Sequence, residues 1–472
     1  MTQEEQRDAL RERLCTIGQD HVLAFWDQLD ETCRGALLDD LEAVPYELLA
    51  RVRGGGVAAL EPEVPELGRL SPVRVVDPEA GGLELEHARE LGVQALRVGQ
   101  VAAVTVAGGQ GSRLGFDGPK GTYPIGPISG HSFFQILADA VLGAGQKYGA
   151  PIPWYVMTSD ATHSATEAYF HDNNEFGLAP GQLRLFRQGA WPALSMDGKM
   201  LLSEKHRLAL SPDGHGGLVD ALARSGSLAR MCREGTLHLS VFQVDNPLVR
   251  WFDPMFLGLH VLRGSDISCK AISKRDDHEG LGNFCLQDGK TRCIEYSDFP
   301  DAHACAKNPD GSRRFDAGNL SIYVMGVDFL DRLVRTRAGL PIHLARKKVP
   351  YLDQATGKRI EPVEPNAIKM EKFVFDVLPH ARHVSIVKTR REEEFGPVKT
   401  LRGQDSVESC RGAMVQRACR WLAQAGVEVP VGRDGTFDAW LELSSRVQTP
   451  EDLAGREDLP RRVSPGQRLY FS

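Results

Sequence analysis

The sequence predicts an α/β fold, a sheet with crossover helices, and two features carry that prediction. From Val101 onward, short apolar runs alternate with stretches of helical periodicity, the order in which strands and crossover helices follow one another. One of these runs, VAAVTVA, leads straight into Gly108, Gly109 and Gly111, as a strand entering a tight loop does. A chain of 472 residues also exceeds the usual size of one hydrophobic core, so smaller lobes around a large central domain are expected.

Taken in order, the first fifty residues read as helical, and Val22, Phe25, Trp26 and Leu29 recur at a spacing that places them on one helix face. The Pro- and Gly-rich stretch 54–72 reads as a loop, followed by a helix over 83–96. After the strand ending at Ala107, Ser132 is placed to cap a helix running to about Tyr148. A buried strand over 151–159 and a helix over 161–175 follow, with further strands at 183–186, 237–244, 266–272 and 319–326. Beyond Ala381 the pattern weakens to a strand in VSIVK, a helix over 413–425 and Gly- and Pro-rich connections. This divides the chain into a mainly helical N-terminal lobe (1–98), a central domain (99–384) and a small C-terminal lobe (385–472). No internal repeat is visible, which excludes solenoids and propellers.

A net charge of −7 and an isoelectric point near 6.1 argue against nucleic acid as a partner, because surfaces that neutralise a phosphate backbone are basic. A few placed Arg and Lys residues still suffice for a small phosphorylated ligand. The N-terminal MTQEEQRDALRERL lacks the apolar run of a signal peptide, and no stretch has the length of a membrane span, so a cytoplasmic protein without a membrane partner is expected. Nine cysteines without a C-x-x-C pair indicate reduced, mostly buried thiols.

Glycines after a strand let backbone N–H groups converge on a small space that favours anions. Arg113 adds a planar pair of donors for phosphate oxygens, and Lys120 adds a point charge. Two commoner phosphate loops fail on spacing. Counted from Gly109 and Gly111, the dinucleotide fingerprint needs glycine at position 114, where this chain has Leu114. The P-loop needs Gly-Lys followed by Ser or Thr, whereas Lys120 lies between Pro119 and Gly121.

The motifs VAGGQGSRLGFDGPKGTYPIG, PWYVMTS, FRQGAWPAL, LSPDGHGGL, VDNPLV, IEYSD, DAGNLS, KKVPY, PNAIKMEKFVFD and EEEFGPVK occur in that order. Through them the chain resembles the eukaryotic-type UDP-sugar pyrophosphorylase family over about 101–399, with the greatest likeness to its UDP-N-acetylglucosamine branch. The resemblance implies a Rossmann-like nucleotidyltransferase core at 99–384, with a mixed, mostly parallel sheet. It also implies a uridylyltransferase that turns UTP and N-acetylglucosamine 1-phosphate into UDP-sugar and pyrophosphate by direct attack on the α-phosphate.

Carried over residue by residue, the resemblance assigns Val106, Ala107, Gly108 and Gly109 to the nucleotide, and Arg113, Lys120 and Lys399 to the reacting phosphates. Gln188 and Gly214 occupy the uracil-reading positions. Asp245 matches the acidic nucleotide-binding position and is the candidate Mg²⁺ ligand, a hard oxygen donor suited to that ion. His215, Gly282, Glu295, Tyr296, Asn319 and Lys369 fall at or beside the sugar. His215 departs from the branch pattern: PDGNGG carries Asn there, while UDP-glucose and broad-specificity relatives carry His, so a UDP-glucose or broader UDP-sugar pyrophosphorylase is the alternative. A non-catalytic sugar-nucleotide binder is the alternative of another class; such a protein has little reason to keep Arg113, Lys120, Asp245 and Lys399 together.

Overall fold

The computed structural model describes residues 2–60 and 70–472. The chain forms two compact units whose segments alternate along the sequence. One comprises Met1–Glu66, Gln188–Asp220 and Gly339–Asp376; the other comprises Leu67–Arg187, Ala221–Ala338 and Val377–Ser472. The sequence reading instead set its lobes end to end.

An eleven-stranded sheet organises the larger unit. Its strands are β1 (Leu70–Pro72), β2 (Val75–Val76), β3 (Val101–Val106), β4 (Trp154–Thr158), β5 (Leu183–Arg187), β6 (His238–Gln243), β7 (Ile267–Ser273), β8 (Asn283–Gln287), β9 (Lys290–Ile294), β10 (Ala317–Gly326) and β11 (Val384–Lys388). The spine runs β2-β11-β7-β10-β6-β3-β4-β5, with β8 on β10 and both β1 and β9 on β8. Spine neighbours are parallel except at β10, which is antiparallel to β6 and β7, so the sheet is mixed, with a mostly parallel spine. Every residue of β3 and β4 is buried, which explains why Thr105 and Thr158 are the polar residues in otherwise apolar runs: a parallel strand covered on both faces has no solvent side to mark with polar residues.

Ser132 caps helix Phe133–Tyr148 by accepting from the Gln135 N–H, as its place in the sequence suggested. Helices Leu83–Arg97 and Pro254–Leu262 pack closely, and the contact depends on two glycines. A Cβ on Gly92 would sit 1.9 Å from the Pro254 carbonyl oxygen, and one on Gly258 would sit 1.6 Å from that of Ala88. Alanine at a helix-interior glycine ordinarily gains about 1 kcal/mol, but rigid backbone at that distance forces the helices apart, at a cost of about 1–3 kcal/mol. Gly258→Ala is therefore expected to lower stability, and an unchanged or raised denaturation midpoint would count against this packing.

Several expectations change. The helix expected through Val22, Phe25, Trp26 and Leu29 is two 3₁₀ turns, Asp20–Leu23 and Trp26–Gln28. Val22, Phe25 and Trp26 are buried all the same. Ahead of these turns, Gln19 bonds the Gly198 carbonyl and the Met200 N–H, so tertiary hydrogen bonds shape this segment more than its periodicity does. The helix expected over 161–175 ends at Asp172, after which Asn174, Glu175 and Phe176 adopt left-handed conformations. Of the expected loop over 54–72, residues 61–69 lie outside the described residues, while Leu70–Pro72 is strand β1.

VSIVK, read as part of the C-terminal lobe, is β11 and pairs in parallel with β7 in the central sheet. Helix Val407–Gln424 begins earlier than expected because Ser406 forms a capping box with Ser409. It shares a core of Val415, Trp421, Leu441 and Phe471 with the paired strands Trp440–Leu443 and Arg468–Phe471. In the smaller unit, helices Gln3–Thr16, Glu31–Glu42 and Tyr46–Gly55 pack with Leu194, Met200, Leu208 and Met370. The cysteines are free, and Cys269, Cys285, Cys293, Cys410 and Cys419 are buried.

Candidate active site

In the larger unit, strand order reverses beside β3: β4 and β5 continue to one side and β6 lies on the other. Ligands of open α/β sheets bind at the carboxyl ends of strands at such a point. β3 delivers Val106, Ala107, Gly108 and Gly109 there, and β6 continues through Val244, whose N–H donates to the Val106 carbonyl at 3.0 Å, into Asp245. The Gly-rich loop folds back on itself, with Gly111 N–H to Gly118 O at 2.8 Å and Lys120 N–H to Gly109 O at 3.0 Å. A Cβ on Gly109 would meet no atom within 4 Å, so the turn is open where the glycines face outward.

This fold-back places the Lys120 ammonium 3.0 Å from Asp245 Oδ2. Lys399 reaches the same oxygen at 2.6 Å from the far end of the sequence, and the Val398 N–H donates to the Asp245 carbonyl at 2.9 Å. Burial alone would push the Asp245 carboxyl up, but Lys399 and Lys120 outweigh it and hold the group well below the usual carboxylate range. Asp245 in turn raises the Lys399 ammonium against the effect of burial. Arg113 is exposed and close enough to act electrostatically on Lys399. A carboxylate facing two ammonium groups can release either of them to a phosphate while the charges stay balanced.

Asn246 builds the frame. Its side-chain amide donates to the Glu394 carbonyl at 2.8 Å and accepts from the Gly396 N–H at 3.1 Å, tying the Asp245 segment to the one that leads to Lys399. Glu394 also meets Lys270 and accepts from Thr389 at 2.9 Å. Neither Asn246 nor this ion pair was singled out from the sequence, although a lysine inside the apolar run ISCKAIS was the available signal.

Gly282, Glu295 and Asn319 come together in the same unit. The Asn319 N–H donates to the Gly282 carbonyl at 2.8 Å, and a Cβ on Gly282 would lie 3.6 Å from Glu295 Oε1. Tyr296 beside them is 55% exposed.

The smaller unit gathers Gln188, Gly214 and His215. The Asp213 N–H donates to the Gly189 carbonyl at 3.0 Å, which brings the buried Gln188 beside the PDGHGG segment. Gly214 has φ +83°, and a Cβ there would sit 2.4 Å from the Lys372 carbonyl oxygen, so both conformation and space require glycine. The Val374 N–H donates to His215 Nδ1 at 3.0 Å, which leaves the proton of the neutral ring on Nε2. The ring stacks on Phe373 at 5.2 Å, and Phe373 stacks on His343 at 4.1 Å. Lys369 lies on strand Ala367–Glu371, which leads into Lys372.

The model of the UTP–glucose-1-phosphate uridylyltransferase family matches residues 77–428, most of the chain. The chain belongs to this family. It is 37% identical to the human UDP-N-acetylhexosamine pyrophosphorylase-like protein 1 over 434 residues, covering 88% of this chain and 85% of the relative. It is 36% identical to UDP-N-acetylglucosamine pyrophosphorylase of Saccharomyces cerevisiae over 448 residues, 91% of this chain and 93% of that one. The crystal structure of the uridine diphosphate N-acetylglucosamine pyrophosphorylase from Trypanosoma brucei shares the fold, with a TM-score of 0.82 at 22% identity, covering 100% of this chain and 98% of that one. The nucleotidyltransferase fold and family expected from the motifs are thus in place. Among the described residues no helix is long and apolar enough to cross a membrane.

Proposed function

We propose that this uridylyltransferase acts on N-acetylglucosamine 1-phosphate, forming UDP-N-acetylglucosamine and pyrophosphate from UTP. The meeting of Lys120, Asp245 and Lys399 beside the open Gly108–Gly109 turn carries the reading, and the names of the relatives support the sugar. An oxygen of the sugar phosphate attacks the α-phosphorus of UTP; the bond from that phosphorus to the oxygen bridging to the β-phosphate breaks, and pyrophosphate leaves with the electron pair. No covalent enzyme intermediate is needed, so the protein contributes position and charge.

In this reading Val106 to Gly109 line the nucleotide, Lys120 and Arg113 take the charge of the departing pyrophosphate, and Lys399 meets phosphate across Asp245 from Lys120. Gln188 and the backbone at Gly214 read the uracil edge, and Gly282, Glu295, Tyr296, Asn319 and Lys369 hold the sugar.

We assign Asp245 as the protein's ligand for Mg²⁺. Among the described residues no three His, Cys, Asp or Glu side chains gather as a metal cage. Mg²⁺ ordinarily binds one or two carboxylates together with substrate phosphates and water, and a single carboxylate at a triphosphate site fits that habit. When bound, the ion neutralises phosphate charge. Asp245→Asn is expected to raise the Mg²⁺ concentration needed for half-maximal rate, and an unchanged metal titration would remove Asp245 as ligand.

A second reading, UDP-glucose or broader UDP-sugar synthesis, is favoured by His215, whose Nε2–H is a donor on a ring held by Val374 and Phe373. Turnover of the 1-phosphates of N-acetylglucosamine, N-acetylgalactosamine, glucose and galactose with UTP separates the two. N-Acetylglucosamine 1-phosphate is expected to give the highest kcat/KM, and reaction with glucose 1-phosphate alone would overturn the proposal.

A further inference from the structure

The larger unit carries a cleft of about 490 Å³ that contains none of the residues assigned above. Arg89, Val93 and Arg97 reach it from helix Leu83–Arg97, where residues four apart share one face. Lys147, Arg250 and Arg390 bring its cations to five. Only three carboxylates stand against them, and two are already engaged. Asp452 holds Lys147 at 2.7 Å, while Glu393 accepts from Arg420 at 2.9 Å and from the Trp421 indole at 2.8 Å. Arg390 is held by Glu79 at 3.1 Å, and Arg250 is held electrostatically by Asp253, Glu394 and Glu393, so Glu451 is the remaining carboxylate of the cleft for Arg89 and Arg97.

The guanidinium groups of Arg89 and Arg97 are poorly matched. Arg89 and Arg97 form no hydrogen bond or ion pair with the described residues. Arg250 comes no nearer than 4.0 Å to Asp253, and its Nε is buried without a hydrogen-bond partner. An adjoining cleft of about 360 Å³ shares Arg89, Arg250, Arg390 and Glu393 with this one and has five cations beside five carboxylates. Arginine forks match the oxygens of a phosphate group in geometry as well as charge.

We propose that this cleft binds a small phosphate monoester, with Arg89, Arg97 and Arg250 as donors. Its volume is that of a small-molecule pocket. The test is calorimetric titration of the full chain with glycerol 3-phosphate, and with glycerol as the uncharged control. Saturable binding of glycerol 3-phosphate is expected, at least tenfold weaker in the Arg89→Ala/Arg97→Ala double variant and retained in Lys120→Ala. Both substituted arginines are exposed, so the double variant is expected to fold. Absence of binding to the unsubstituted chain, equal affinity in the double variant, equal binding of glycerol, or loss of binding in Lys120→Ala would each overturn the assignment.

Discussion

Lys399→Ala is expected to lower kcat by about 10²- to 10³-fold while leaving the fold intact, and Lys120→Ala is expected to do the same. Removing one aimed charge from a site that stabilises developing negative charge typically costs about 2.7–4 kcal/mol. The structure argues for the upper part of that range, because both ammonium groups meet one carboxylate oxygen and no other lysine contacts Asp245 among the described residues. Stability is expected to change much less, since the Lys399 side chain is half exposed and either variant still leaves Asp245 one partner. The two losses should not add in the double variant, because the lysines share that partner. Steady-state kinetics beside a thermal melt checks both parts, and wild-type turnover in either variant would contradict the assignment.

Glu394→Ala is expected to be among the most destabilising single changes in the chain, at about 3–5 kcal/mol. Lys270 and Glu394 are each only 1% exposed, and Asp253 completes the group at 3.0 Å from the lysine. Truncating Glu394 leaves Lys270 with Asp253 alone and strips Thr389 and the Arg250 N–H of their acceptor. Since the main chain of Glu394 is also where Asn246 fastens the approach to Lys399, activity should fall with stability. Urea unfolding measures the effect, and a loss below about 1 kcal/mol would show that the pair is not held as described.

Much of the fold was legible because it is written locally. The apolar runs of β3 and β4 have no polar alternation, Ser132 stands where a helix needs a cap, and the spacing around Gly108 to Gly115 by itself excludes two other phosphate loops. Where local pattern misled, tertiary contacts were stronger than periodicity. The segment around Trp26 spends its apolar residues on a core completed by Leu194, Met200 and Met370, and 3₁₀ turns bury them as well as a helix would. VSIVK looked peripheral because it comes late in the chain, yet strand order in a sheet does not follow chain order.

By itself the sequence determined the strand-to-glycine turn, the family, and the identity of the charged residues available for phosphate. Only the tertiary structure decided that Lys120 and Lys399, 125 and 154 residues from Asp245 respectively, meet it at one oxygen. Likewise, the proton of neutral His215 is directed to Nε2 by a backbone N–H 159 residues away. Turns and caps depend on neighbours a few residues apart, which a sequence displays directly. A charge cluster or a tautomer depends on which distant segments the sheet brings together, and that is set by the packing of the whole core.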